Sequence, residues 1–222
     1  MPLRKRLALM AGYSGLLLLG LFILGFAAYS LRFGLRGVRL DLSDVTYIYT
    51  PGDTFTNIAI FSHMILGALA MVLVPFQPIR RLRRRFPWLH RMVGRLIVFA
   101  SAFVALGGLA YIATRGTIAG PLMDVGFALY GVLMLGCAIQ TLRHARGRDF
   151  ARHSAWALRL FVLVMGSLIF RLHYLIWFTL TDGMWSNEHL TGGFDQVQYF
   201  GFYIPYLVAL EIGLKRRARA ET

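Results

Sequence analysis

Six long apolar runs dominate this sequence. A helix needs about 20 apolar residues to cross the hydrocarbon core of a bilayer, and every one of these runs is that long. The chain is 57% hydrophobic and only 15% charged, which is far more apolar than a soluble domain. The pattern predicts an all-α fold class: a polytopic membrane helix bundle that forms a single transmembrane domain over residues 1–222. The six predicted transmembrane helices are about 8–30, 57–79, 92–114, 122–142, 154–181 and 195–214.

The first run follows Arg4, Lys5 and Arg6, as the core of a signal peptide would. However, it extends over residues 8–30, longer than the roughly 7–15 apolar residues of a signal peptide. No convincing small-x-small cleavage site follows it. We therefore predict an uncleaved first span.

The basic residues are divided unevenly between the two predicted membrane faces. With the N-terminus in the cytoplasm, 18 of the 24 basic residues fall on the cytoplasmic side. This positive-inside pattern predicts a multi-pass protein of the cell inner membrane with both termini cytoplasmic. The net charge of +14 then reflects topology rather than nucleic-acid binding, and anionic lipids are the expected partners at the cytoplasmic face. The cytoplasmic set is Arg4, Lys5, Arg6, Arg80, Arg81, Arg83, Arg84, Arg85, Arg91, Arg95, Arg143, Arg146, Arg148, Arg152, Lys215, Arg216, Arg217 and Arg219.

The longest predicted loop lies outside, over about residues 31–56. It contains the run Thr46-Tyr-Ile-Tyr-Thr50 followed by Pro51-Gly52-Asp53. Proline, glycine and aspartate are typical of turns. The loop is therefore predicted to hold a short extended piece that ends in a turn.

Motifs for several kinds of chemistry are absent from the sequence. It has no His-Glu-x-x-His, no P-loop, no Gly-x-Ser-x-Gly and no histidine-rich box for a di-iron centre. The single cysteine, Cys137, permits no disulfide within the chain and is interpreted as a packing residue. Acidic residues are almost missing from the apolar spans, with Asp124 and Glu211 both near span ends, which argues against an ion-coupled transporter. Whether the chain is an enzyme stays open.

Two segments repeat a histidine four residues before a glycine. They are His63-x-x-x-Gly67 in span two and His90-x-x-x-Gly94 at the start of span three. On a helix, residues at this spacing lie on one face, one turn apart. The glycine leaves room beneath the imidazole, either for a flat ligand or for a neighbouring helix.

The histidines sort into two pairs by their depth in the membrane. His63 and His173 lie in the outer halves of spans two and five, whereas His90 and His153 stand at the inner boundary. A haem with two axial histidines needs them on different helices at nearly equal depth. Each pair satisfies that condition, so the spacing permits one haem b, or two.

Three further polar residues are predicted to face the interior of the bundle. Arg159 and Arg171 lie within span five, where an unpaired charge is costly and normally faces a partner. A haem propionate, a lipid phosphate or buried carbonyl groups could be that partner. Gln77 lies on nearly the same face of span two as His63. The alternative interpretation is a structural polar network that joins the helices.

A spaced pattern of histidines and arginines over about residues 60–175 resembles a family of bacterial predicted membrane proteins of unknown function. The resemblance implies a multi-helix inner-membrane protein without an established activity. Leu96 and His173 depart from the pattern. A looser similarity, of architecture only, is to the transmembrane cytochromes b. The pattern is His63-x-x-x-Gly67, Pro75-Phe-Gln77, His90-Arg91-x-x-Gly94-Arg95, Arg152-His153-x-x-Trp156-x-x-Arg159 and Arg171.

Two functions therefore compete. One is a non-catalytic scaffold, lipid-binding protein or assembly factor, in which the histidines are structural and the inner arginines bind anionic headgroups. The other is a haem b-binding electron-transfer module, linked to quinone in one version, in which the histidines ligate iron, the arginines pair with propionates and the glycines make space. Protein partners are not indicated. The candidate site residues are His63, Gly67, Gln77, His90, Arg91, Gly94, Arg95, His153, Arg159, Arg171 and His173.

Overall fold

A computed structural model describes residues 3–220, with the side chains of residues 3–11 and 13 outside the description. The side chains of Arg4, Lys5 and Arg6, on which part of the charge argument depends, are thus outside the described residues. All regular structure between residues 3 and 220 is helical, as predicted. The α-helices are α1 (Leu3–Arg39), α2 (Thr54–Leu73), α3 (Arg80–Arg85), α4 (Pro87–Arg115), α5 (Pro121–Arg146), α6 (Phe150–Thr181), α7 (Gly193–Gly201) and α8 (Ile204–Ala220), with a 3-10 turn at Val74–Phe76.

The six predicted spans are confirmed as six helical segments long and apolar enough to cross a membrane. Because the number is even, both described chain ends lie at one end of the bundle, together with the loops around residues 77–86 and 147–149. We call this the basic end, and the end with loops 40–53, 116–120 and 182–192 the opposite end. The segments are Ser14–Arg39, Thr54–Phe76, Pro87–Arg115, Pro121–Arg146, Phe150–Thr181 and Gly193–Ala220.

Helices that follow one another in the chain pack side by side from α1 to α6, apart from the short α3, and α2 also contacts α6. The last span completes the bundle, since α7 packs on α5 and α8 packs on α6. The core holds mainly aliphatic residues of α2, α4, α5 and α6. An aromatic cluster of Phe127, Tyr130, Phe170 and Phe202 joins α5, α6 and the last span, with ring centroids 4.9–5.8 Å apart.

The first helix continues about nine residues beyond its predicted end at residue 30, to Arg39. Two glycines account for the extension, because they allow α1 to lie directly on α2. A Cβ atom on Gly34 would lie 2.8 Å from Ile65 Cγ1, and one on Gly37 would overlap the ring of Phe61. The predicted loop over residues 31–56 is correspondingly reduced to residues 40–53.

The short extended piece predicted at Thr46–Thr50 does not form. The Thr46 hydroxyl instead accepts a hydrogen bond from the Ile48 N–H (3.2 Å), which turns the chain. The predicted turn at Pro51 and Gly52 is present, and Gly52 has a positive φ of 79°. Asp53 then caps α2, and hydrogen bonds from the hydroxyl and backbone N–H of Thr56 hold the pKa of this carboxyl below its usual range.

The sixth span is broken into α7 and α8, which the hydropathy pattern did not predict. The break lies just before Pro205, which has no backbone N–H and whose ring opposes the carbonyl of Gly201 four residues earlier. The two residues at the break are almost completely buried, Phe202 at 1% and Tyr203 at 0% exposure. The Tyr203 hydroxyl donates to the carbonyl of Gly126 (3.0 Å) and so fixes the break against α5.

Candidate functional site

The inner-pair residues of the sequence pattern, His90 and His153, lie at the basic end of the bundle. The second span ends in a 3-10 turn that contains Pro75 and leads to Gln77, which the prediction placed inside the span. A Cβ atom on Gly94 of α4 would lie 3.4 Å from Gln77 Oε1, so the glycine makes room for the glutamine side chain. The same 3-10 turn contacts α6. Three spans thus converge here.

His90 and His153 begin two of the helices at this end. His90 lies in the first turn of α4 and His153 in the first turn of α6. His153 Nδ1 lies 3.0 Å from the carbonyl of Thr141 on α5. A carbonyl only accepts, so Nδ1 carries the proton. Ligating histidines usually make such a second bond, which fixes the ring and leaves Nε2 for a ligand.

The arginines around this site form an exposed positive surface, which we call the arginine patch. Five of them lie on the short helix α3, which has no buried residue. In the described residues no carboxylate lies within ion-pair distance of the patch. Asp149, the acid of the neighbouring loop, pairs with Arg152 at 3.5 Å instead. The patch consists of Arg80, Arg81, Arg83, Arg84, Arg85, Arg91 and Arg95.

Arg159 has a protein partner that the sequence did not indicate. Its Nε and Nη2 donate to the two carboxylate oxygens of Glu211 on α8, at 2.5 and 2.9 Å. Its guanidinium also lies over the ring of Trp156, 4.5 Å from the centroid. The pair joins the fifth span to the sixth. Arg159 is therefore engaged in helix packing, and a propionate or lipid phosphate is not needed to neutralise it.

His63 is held by the third span. Its Nδ1 lies 2.6 Å from the carbonyl of Val104 and must donate to it. The glycines that make room for the imidazole are Gly107 and Gly108 of α4, where added Cβ atoms would lie 3.2 Å from His63 atoms. Gly67, the glycine of its own motif, would bring a Cβ no closer than 3.9 Å to Val104. The space at His63 therefore serves mainly for close packing of α2 on α4.

A small cavity of about 50 Å³ lies next to His63 and is also lined by Gly67, Ser101, Tyr130 and Ser167. The Ser101 hydroxyl is buried without a hydrogen-bond partner and so adds an unsatisfied polar group to the cavity. The Tyr130 hydroxyl donates to the carbonyl of Leu163. The volume suits a few water molecules, since one water needs roughly 10–15 Å³ by the same kind of measure. It is too small for a porphyrin.

His173 does not meet His63. Its Nδ1 lies 2.9 Å from Gln198 Oε1 of α7, and its Nε2 lies 2.7 Å from the Tyr206 hydroxyl of α8. Both ring nitrogens therefore have partners within the sixth span, whereas His63 bonds to the third. The predicted outer pair thus has two separate environments, and its residues do not fit a shared haem. His90 and His153, by contrast, both lie in first helical turns at the basic end.

Arg171 lies in α6 beside a groove that separates α6 from α1. One guanidinium nitrogen donates to the carbonyl of Ser167 (3.0 Å), four residues earlier on the same helix. The guanidinium carbon lies 4.1 Å from the ring centroid of Phe26 on α1. Within the described residues this arginine has no carboxylate partner, unlike Arg159. The sequence predicts a polar partner for Arg171, and the structure supplies a backbone carbonyl in that role.

The sequence does not single out one buried polar residue, Asp195 at the start of α7. The side chain is completely buried and accepts hydrogen bonds from the Tyr174 and Ser186 hydroxyls, both at 2.7 Å. It also accepts from the backbone N–H of Asn187 and of Gly192, the N-cap of α7. An acid at the third helical position after a glycine N-cap is a signal for such a cap. Asp195 organises the loop at the opposite end.

Comparison with protein families gives a match that covers most of the bundle. The model of a family described as "Predicted membrane protein (DUF2306)" matches residues 60–191, more than half of the chain. The matched segment includes every candidate site residue and the whole pattern from His63 to Arg171, which confirms the resemblance noted in the sequence. Searches of curated proteins and of solved structures give no match.

Proposed function

Since the chain belongs to this family of predicted membrane proteins, whose description states no activity, we propose that it is an inner-membrane protein that binds anionic lipid. In this proposal the basic end faces the cytoplasm, and the arginine patch contacts the headgroups of the inner leaflet. The protein acts as a non-catalytic scaffold or assembly factor that is anchored on those lipids.

The observation that carries this proposal is the unpaired charge of the arginine patch. Seven exposed arginines lie on α3 and the first turns of α4, and ion pairs with carboxylates do not neutralise them in the described part of the chain. Helix α3 follows directly on the second span, so its side chains lie at headgroup level. A basic residue near an anionic membrane surface contributes about 1 kcal/mol to binding.

The proposal predicts that neutralising α3 removes the preference for anionic lipid. We expect each arginine changed to glutamine to lower the relative association of phosphatidylglycerol about fivefold, the factor for about 1 kcal/mol. The variant changes Arg80, Arg81, Arg83, Arg84 and Arg85. The measurement is electron spin resonance of spin-labelled phosphatidylglycerol and phosphatidylcholine with the protein reconstituted in bilayers.

A matched control changes the arginines at the opposite end, Arg32, Arg36 and Arg39, to glutamine. These substitutions should leave the preference at the basic end unchanged. Salt should weaken the preference of the unmodified protein, since the charges are exposed. Equal lipid preference in the α3 variant and the unmodified protein, at low and high salt, would show that the patch has another role.

A second candidate function, haem-linked electron transfer, rests on a single observation. His90 and His153 both lie in the first turn of a helix at the basic end, and the ring of His153 is oriented through Nδ1 in the way that ligating histidines usually are. If haem b binds, these two imidazoles supply the axial nitrogens, and the exposed Arg91 and Arg95 are the nearby cations for its propionates. Haem would supply one-electron redox chemistry.

An absorption spectrum separates the two functions. Haem ligated by two histidines gives the sharp reduced bands of a six-coordinate cytochrome b, and His90→Ala and His153→Ala should abolish them alike. His144→Ala and His189→Ala should have no effect, because these residues lie at a helix end and in an exposed loop. Protein purified from haem-replete cells without any haem absorbance would end the redox candidate.

A further inference from the structure

A groove of about 480 Å³ separates α1 from α6 on the surface that faces the bilayer. Its walls are apolar: Leu18, Leu21 and Phe22 on α1, and Leu168, Leu172 and Leu175 on α6. Most of these side chains are exposed, Leu21 to 58% and Leu175 to 48%. Because α1 packs along α2, it leaves this side of α6 open. The groove has the shape and surface of a site for an acyl chain.

One charged residue, Arg171, lines this otherwise apolar groove. A guanidinium has five N–H donors, and the structure shows one hydrogen bond from it, to the Ser167 carbonyl. It also contacts the face of Phe26. A charge within a span is costly and normally faces a counter-ion, and no described carboxylate lies near this one. The positive charge of Arg171 in the groove therefore has no anionic partner among the described residues.

The depth of Arg171 places it within reach of a headgroup. Trp177, on the same helix, lies about 9 Å farther toward the opposite end at 1.5 Å per residue. Its ring stacks on Phe194, with centroids 4.4 Å apart, and its indole N–H donates to the carbonyl of Met184. Tryptophans of this kind mark the interface between hydrocarbon and headgroups. In the structure the guanidinium is directed back toward Ser167, and binding a headgroup at that level requires it to turn toward the opposite end, as a long arginine side chain can.

We infer that the groove binds one phospholipid of the leaflet at the opposite end, with its phosphate on Arg171 and an acyl chain between α1 and α6. A planar guanidinium binds phosphate oxygens through two parallel hydrogen bonds, so an arginine suits this site better than a lysine would. The groove opens sideways into the bilayer, where phospholipids are the abundant anionic amphiphiles. This site is separate from the arginine patch and does not depend on the proposed function.

The inference is tested by native mass spectrometry of the delipidated full-length protein with added phosphatidylglycerol. The five α3 arginines are changed to glutamine in every sample, so that lipid at the basic end does not contribute. We expect one tightly retained lipid. Arg171→Gln should weaken its binding about tenfold or more, the range for a hydrogen bond to a charged group. Arg171→Lys should bind with intermediate strength.

A matched pair of glycine variants tests the groove without touching the charge. Gly25 lines the groove and Gly136 lies on the exposed surface of α5, and a Cβ atom at either position meets nothing within 4 Å. Gly25→Trp should displace the lipid, whereas Gly136→Trp should retain it. Equal retention in the parent protein, Arg171→Gln and Gly25→Trp would overturn the inference. Retention of palmitate in preference to phospholipid would overturn the assignment of the occupant.

Discussion

At the scale of single residues, the two arginines of α6 show how differently a charge can be accommodated in a span. Arg159 pairs with Glu211 through two hydrogen bonds, whereas Arg171 has a backbone carbonyl and an aromatic face. The sequence places both at the same kind of position, and only the packing of α8 on α6 distinguishes them. An arginine within a span thus needs its neighbouring helix before it can be assigned to a ligand.

Removing the partner of Arg159 should destabilise the protein. In Glu211→Gln the guanidinium loses a charged acceptor inside the bundle, and we expect the free energy of unfolding to fall by about 1–3 kcal/mol. Thermal unfolding in detergent measures it. Glu188→Gln, at a carboxylate in an exposed loop, serves as the control and should change little.

The double variant Arg159→Leu, Glu211→Leu should recover much of this loss, because it leaves no unpaired charge. If Glu211→Gln unfolds at the same temperature as the parent protein, the pair does not hold α8 on α6.

At the scale of helices, the sequence predicts the existence of each span but neither the end of α1 nor the break in the sixth span. Hydropathy locates all six. It places the end of α1 too early, because the extension depends on contacts of Gly34 and Gly37 with α2, far away in the sequence. The break in the sixth span had a local signal in Pro205, but a hydropathy value averaged over a whole span does not show a single proline. The turn at residues 46–50 depends on a hydrogen bond to the Thr46 hydroxyl, which the residues' preferences for secondary structure do not predict.

The candidate site was predictable to a similar extent. Residues at the basic end could be grouped by depth, because both His90 and His153 begin helices at the same membrane face. The partners of His173 could not be predicted, since they come from 25 and 33 residues later, on the broken last span. Depth along a helix can be calculated from sequence, whereas rotation against particular neighbours requires the packed structure.

The close contact between α1 and α2 gives a prediction at this scale. In Gly37→Ala the new Cβ atom overlaps the ring of Phe61, which is completely buried and cannot move aside. Overpacking of this kind costs about 1–3 kcal/mol. We therefore expect a lower unfolding temperature in detergent. Gly25→Ala is the control on the same helix, since nothing lies within 4 Å of its Cβ, and it should unfold at or above the parent temperature. Gly37→Ala as stable as Gly25→Ala would contradict the packing.

At the scale of the whole molecule, the topology collects the basic residues at one end of the bundle. Six spans put both described chain ends, α3 and the α5–α6 loop at the same end of the bundle. Most of the basic residues of the sequence lie at this end. The loops at the opposite end are instead organised by acids and hydroxyls, such as Asp195 with Tyr174. Binding of inner-leaflet lipid by the arginine patch requires that the basic end faces the cytoplasm.

The orientation of the basic end is therefore tested by labelling cysteines from one side of the membrane. In a Cys137→Ala background, Arg84→Cys reports on the arginine patch and Glu188→Cys on the exposed loop at the opposite end. A membrane-impermeant maleimide is added to sealed right-side-out vesicles, before and after permeabilisation. We predict that Glu188→Cys is labelled at once and that Arg84→Cys is labelled only after permeabilisation. Labelling of Arg84→Cys in sealed vesicles would contradict the orientation, and with it the binding of inner-leaflet lipid by the arginine patch.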